Sequence, residues 1–95
     1  MTKLKKIIDA YIEKIDKLIG TLAPMQKADT IFVKVRALTD EMREEAEKCG
    51  DEMLYPTLYN AAATIMMAPE GCSVKQLKEA LEDAKTEMEV MKEYF

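Results

Sequence analysis

Apolar residues recur at Leu4, Ile8, Tyr11, Ile15, Leu18 and Leu22, in steps of four and three that mark one face of a helix. Ile7, Ile12 and Ile19 widen that stripe. Thr2 stands at a capping position and Gly20 with Pro24 supplies a stop, so the pattern predicts a first helix over about residues 3–19. The next stretch is ambiguous at its start, because TIFVKV, residues 30–35, is rich in β-branched residues and alone reads as a strand. Its neighbours decide for a helix. Val35, Leu38, Met42, Ala46 and Cys49 keep helical spacing through residues of high helix propensity, Ala28, Ile31 and Phe32 extend the stripe backward, and a lone strand would have no partner. This second helix is expected to begin between Pro24 and Asp29 and to stop at Gly50.

The run MLYPTLYNAAATIMMAP, residues 53–69, carries no charge in a chain that is 34% charged. Pro56 suits the first turn of a helix, where its missing N–H does no harm, and Pro69 with Gly71 closes the segment. Leu54, Leu58, Ala61, Ile65 and Ala68 form one face, with Tyr55, Tyr59, Ala62 and Met66 on a second face beside it. A helix so apolar is normally buried. It is not a membrane span, which needs about 20 predominantly apolar residues, because Pro56, Asn60 and two threonines interrupt it.

The fourth helix has the clearest start. Ser73 and Gln76 have capping-box spacing, and Cys72 with Leu77 occupies the staple positions. Val74, Leu77, Leu81, Ala84, Met88, Met91 and Phe95 continue in steps of three and four. Lys75 with Glu79 and Lys78 with Glu82 sit one turn apart outside that stripe, each pair worth a few tenths of a kcal/mol.

Four helices with short connections predict an all-α fold, an up-down-up-down four-helix bundle occupying residues 1–95 as a single domain. The short apolar third helix leaves the cover of Met42, Ala46, Met88, Met91 and Phe95 to overhanging neighbours or to a second chain.

Charge adds a polarity. The net charge is −4, but residues 1–36 hold eight Lys or Arg against four acids, and the remainder is strongly acidic. Antiparallel packing would lay the basic first helix beside acidic neighbours. The acidic patch Asp40, Glu41, Glu44, Glu45, Glu47, Asp51 and Glu52 disfavours general nucleic-acid binding, which needs basic clusters. It is itself a candidate surface for a basic partner. A metal site there is disfavoured, because bundle metal sites combine inward Glu with His and these acids fall mostly off the apolar stripe.

The chain has no histidine, which removes the commonest general base and transition-metal ligand. No catalytic, cofactor or metal site is predicted, and an enzyme is the least favoured reading. The two cysteines, Cys49 and Cys72, are too few for a disulfide scaffold, and the Lys-rich start does not resemble a signal peptide, so a cytoplasmic protein is expected. The bundle topology places these thiols at opposite ends, beyond the reach of a bridge.

No family motif is matched. In length the chain is similar to the helical chorismate mutases, but those enzymes hold a dianion on several arginines and this chain has only Arg36 and Arg43. Bacteriocin immunity proteins and phage-carried inhibitors are similar in size and class alone. The function expected is a protein-interaction module, a binder, adaptor or inhibitor, acting as a homo-oligomer through Tyr55, Tyr59, Ala62, Met66, Met88, Met91 and Phe95. The alternative is a small-molecule binder with Tyr11, Tyr59, Asn60 and Thr64 around a pocket.

Overall fold

The computed structural model describes residues 3–22, 28–68 and 72–95. Four helices succeed one another in chain order: α1 (Lys3–Thr21), α2 (Ala28–Cys49), α3 (Leu54–Met66) and α4 (Val74–Lys92). They form an all-α four-helix bundle about 40 Å long, and among the described residues there is no strand. TIFVKV lies in the first turns of α2 because Ile31, Val35 and Leu38 all reach the core at helical spacing.

The ends of the helices reflect local chemistry. Gly50 takes φ +63°, the left-handed conformation that ends α2 and that a Cβ would disfavour. Asp51 then caps α3, its Oδ1 accepting the backbone N–H groups of Met53 and Leu54 at 2.9 Å each. Helix α3 starts at Leu54, two residues before Pro56, which falls in its first turn. The capping box of α4 is formed: Gln76 N donates to Ser73 Oγ at 3.2 Å and Ser73 N to Gln76 Oε1 at 3.1 Å. Helix α1 continues through Gly20 to Thr21, and the expected cap Thr2 and stops Pro24, Pro69 and Gly71 lie outside the described residues.

One hydrophobic cluster joins all four helices, built on Ile8 and Ile15 of α1, Met42 and Ala46 of α2, Leu58 and Ile65 of α3, and Leu81 and Met88 of α4. Helix α3 packs along both α2 and α4, whereas α1 packs chiefly on α4 and touches α2 far less. The question of cover for Met42, Ala46 and Met88 is answered within the chain, since all three are fully buried. Met88 lies one residue from Glu87, which bonds Thr64 of α3, and four from Lys92, which pairs with Asp9 of α1, so two helices close over it. Met91 and Phe95 are half-buried.

The charge pairing differs in part from the expectation. Lys14 of α1 does pair with Glu41 of α2, but the α1–α4 seam runs the other way, with Lys85 on Asp16 at 2.7 Å and Lys92 on Asp9 at 2.5 Å. There α1 contributes the acids. The hydrogen bond from Lys85 to Asp16, and the charge of that carboxylate, push the Lys85 ammonium pKa up.

Candidate functional site

Helical geometry divides α3 into three strips. Leu54, Thr57, Leu58, Ala61, Ala62 and Ile65 face the core, the buried Thr57 hydroxyl donating to Met53 O at 2.8 Å. Tyr55, Tyr59 and Met66, at steps of four and seven, stand on the side toward α2. They remain 42%, 40% and 53% exposed, and Met67, continuing the strip past the helix end, 80%. Asn60 and Thr64 stand on the side toward α4.

The strip beside α2 borders a groove. On the α2 wall Phe32, Arg36, Thr39 and Arg43 share one side of the helix, and Ile65 and Met66 form the opposite wall, around a space of about 260 Å³. A second recess of about 270 Å³, bounded by Tyr59, Ala63 and Met67, shares Arg43 and Met66 with the first. The two lie in line along α2 and α3. Tyr55 and Tyr59 stack at the border, which holds both rings in one orientation.

Both arginines of the chain and one carboxylate, that of Asp40, supply the charges lining the groove. Arg43 Nη2 donates to Asp40 Oδ1 at 2.5 Å, but its Nε is closed off from water and has no acceptor. The Arg36 guanidinium has no ion pair or hydrogen bond among the described residues. The Thr39 hydroxyl, buried at the base, donates to Arg36 O at 2.9 Å. Guanidinium N–H groups therefore outnumber acceptors in this groove.

The residues expected to form one contact surface are not brought together. Ala62 and Met88 are core residues without exposed area, which corrects their assignment to an interface. Ala62 is the small residue over which the α3 strip closes. Met91 lies across α3 from the tyrosines, in a shallow recess with Asn60 and Val90. Phe95 sits at the end of the bundle with Leu4 and Met53. Tyr55, Tyr59 and Met66 alone remain as a continuous strip.

The expected pocket of Tyr11, Tyr59, Asn60 and Thr64 does not converge either. Tyr11 is buried between α1 and α2, its hydroxyl 3.5 Å from both the backbone and a carboxylate oxygen of Glu41. Its phenol pKa is pushed up to about 12, first by burial and then by the charges of Glu41, Glu45 and Glu44. Thr64 donates to Glu87 at 2.8 Å, and Asn60 faces water. In place of the expected inward polar groups, apolar side chains and Thr57 fill the core face of α3, and its phenols avoid desolvation by staying outside.

The acidic patch also divides by role. Asp40 holds Arg43, Glu41 holds Lys14, and Asp51 caps α3, while Glu44, Glu47 and Glu52 face solvent and Glu45 is half-buried. Among the described residues no cluster of acids and cysteines has the makings of a metal site. Both cysteines are free thiols; Cys49 accepts from Asp51 N at 3.4 Å, and Cys72 is buried at the start of α4. No helix among the described residues is long and apolar enough to cross a membrane.

Fold and site together define a small four-helix bundle with an uncovered aromatic and methionine strip beside an arginine-lined groove. Compared with protein-family models, curated proteins and solved structures, the chain matches none. The groove does not emerge from hydrophobic periodicity, although the seven-residue spacing of Arg36 and Arg43, two turns along one side of α2, is a signal of it in the sequence.

Proposed function

We propose that this protein is a protein-interaction module, a binder, adaptor or inhibitor that docks a macromolecular partner along the α2–α3 side of the bundle. The observation that carries the reading is the strip Tyr55, Tyr59 and Met66, three large side chains left 40–53% exposed although buried positions lie within a turn of each. Tyrosine is enriched at the centre of protein interfaces because it brings much contact area with few torsions to freeze. Methionine adapts its shape to whatever covers it. A cytoplasmic setting belongs to the same proposal and draws support from the two free thiols.

The reading is tested with a photo-cross-linking amino acid placed at Tyr59 or Met66 in the native host, with the solvent-facing position Glu79 of α4 as control. A discrete adduct from the first two positions and none from the control is expected. Its mass then tells a second copy of this chain from a different protein. No adduct, or adducts of equal yield at Glu79, would overturn the proposal.

A further inference from the structure

We infer that the segment seated in the α2–α3 groove is a helix of the partner that presents a carboxylate to Arg36 and Arg43 from between apolar side chains; this rests on the protein-binding reading above.

The first support is the distribution of charge around α2. Glu41, Glu44 and Glu45 act on Tyr11 of α1, and Glu41 also pairs with Lys14, so the acids of this stretch lie largely toward α1. Both arginines line the opposite seam, toward α3. The helix thus turns Glu41, Glu44 and Glu45 toward α1 and both guanidinium groups toward the uncovered apolar strip, where Asp40 lines the groove and offsets one of the two positive charges.

The second support is the state of those guanidinium groups. Asp40 satisfies one nitrogen of Arg43, while Arg43 Nε has no acceptor and is shut off from water. Arg36 has no partner among the described residues. A carboxylate can take two parallel N–H groups of one guanidinium, a pairing open to the exposed Arg36 as it stands.

The shape of the groove sets the rest of the ligand. Its walls include Phe32, Val35, Ile65 and Met66, which ask for an apolar body beside the anion. From Phe32 to Arg43 α2 rises roughly 16 Å, the length of about three turns of a second helix. The recess at Tyr59 extends the same line. A lone small anion would leave the apolar walls uncovered. A polyanion would meet a molecule of net charge −4 with Asp40 in the groove itself. A single carboxylate on an apolar helical face meets neither objection.

The experiment selects a phage-displayed library of random peptides, four helical turns long, on the full-length protein. The expected winners carry Asp or Glu within an apolar pattern at i, i+3 and i+4. Their binding is expected to weaken about tenfold for Arg36→Gln and again for Arg43→Gln, the loss of one charge-assisted contact each. Lys34→Gln, on a different side of α2, should change nothing. Arg36 is exposed and unpaired, so its variant keeps the fold whatever happens with Arg43. Winners without acidic enrichment that respond to Tyr59→Ala but to neither arginine variant would overturn this inference and leave the docking strip standing. Winners indifferent to all three variants, or no enrichment, would overturn both.

Discussion

Tyr55 and Tyr59 lie one turn apart on the outer side of α3 with ring centroids 5.5 Å apart and planes 13° apart, a stacked pair standing in water. Such a pair contributes little to folding, because each ring keeps much of its solvent contact in the folded state. Tyr59→Ala should lower the unfolding free energy by less than about 1 kcal/mol, measured by urea denaturation. The same substitution should suppress the adduct from a cross-linker at Met66, because the partner loses a ring beside it.

Ala62 and Met66 are one turn apart on the same helix, yet opposite outcomes are expected from charging them. Ala62 has no exposed area, so Ala62→Glu places an unpaired carboxylate in the core and should cost about 3 kcal/mol or more. Met66→Lys adds a charge where the side chain is half in water, and should stay within about 0.5 kcal/mol. Thermal melts of the two variants check this directly. A Met66→Lys protein as unstable as the Ala62 variant would mean that the strip is part of the core.

Two side-chain caps close the starts of α3 and α4. Ser73→Ala removes the acceptor for Gln76 N, and Asp51→Ala leaves Met53 N and Leu54 N without theirs. Each should cost about 1 kcal/mol, which for a domain of this size lowers the melting temperature by about 4–8 °C. Ser73→Asp should recover most of the loss, because a carboxylate accepts the same bond.

Tyr11 gives the bundle an alkaline limit. Its folded-state pKa of about 12 lies above the roughly 10 of an unfolded phenol, so folding favours the protonated ring. That contribution is whole below about pH 10 and is lost as the pH rises to about 12. The raised Lys85 pKa acts with the same sign in the alkaline range. Tyr11→Phe should therefore flatten, without abolishing, the fall in stability above pH 10. The tyrosinate absorbance of wild type minus the variant should titrate near 12.

Much of the fold is legible in the sequence because each element carries its own punctuation. Ser73 and Gln76 announce the start of α4, Gly50 announces the end of α2, and helical spacing overrules the β-branched run at Thr30–Val35. Asp51 looks in sequence like one more acid of a patch, since its capping role depends on a turn that periodicity does not describe. The pairing of α1 with α4 has a signal in the equal spacing of Asp9 with Asp16 and of Lys85 with Lys92, each seven apart. Such a register becomes visible only once the two helices are known to be neighbours.

The site is legible in part. Tyr55, Tyr59 and Met66 come from the second face of α3, but Ala62 on that face is sealed by its neighbours because it is too small to reach past them. Met88 looks uncovered only if a short α3 leaves its neighbours bare, and α1 supplies the missing cover. The rule that buried hydroxyls find partners favours inward polar groups. The chain meets that rule with threonines bonded to their own helices and keeps three of its four tyrosines exposed to water.

The lopsided position of α1 bears on how the chain assembles. Helix α3 finds its two main neighbours, α2 and α4, directly before and after it in the sequence, so those contacts close only short loops. Helix α1 docks mainly on α4, with the whole of α2 and α3 between them, and must wait for a partner surface that the other three helices build. It should therefore dock late in folding and leave early in unfolding, and amide hydrogen exchange should find α1 opening ahead of the core of α2, α3 and α4.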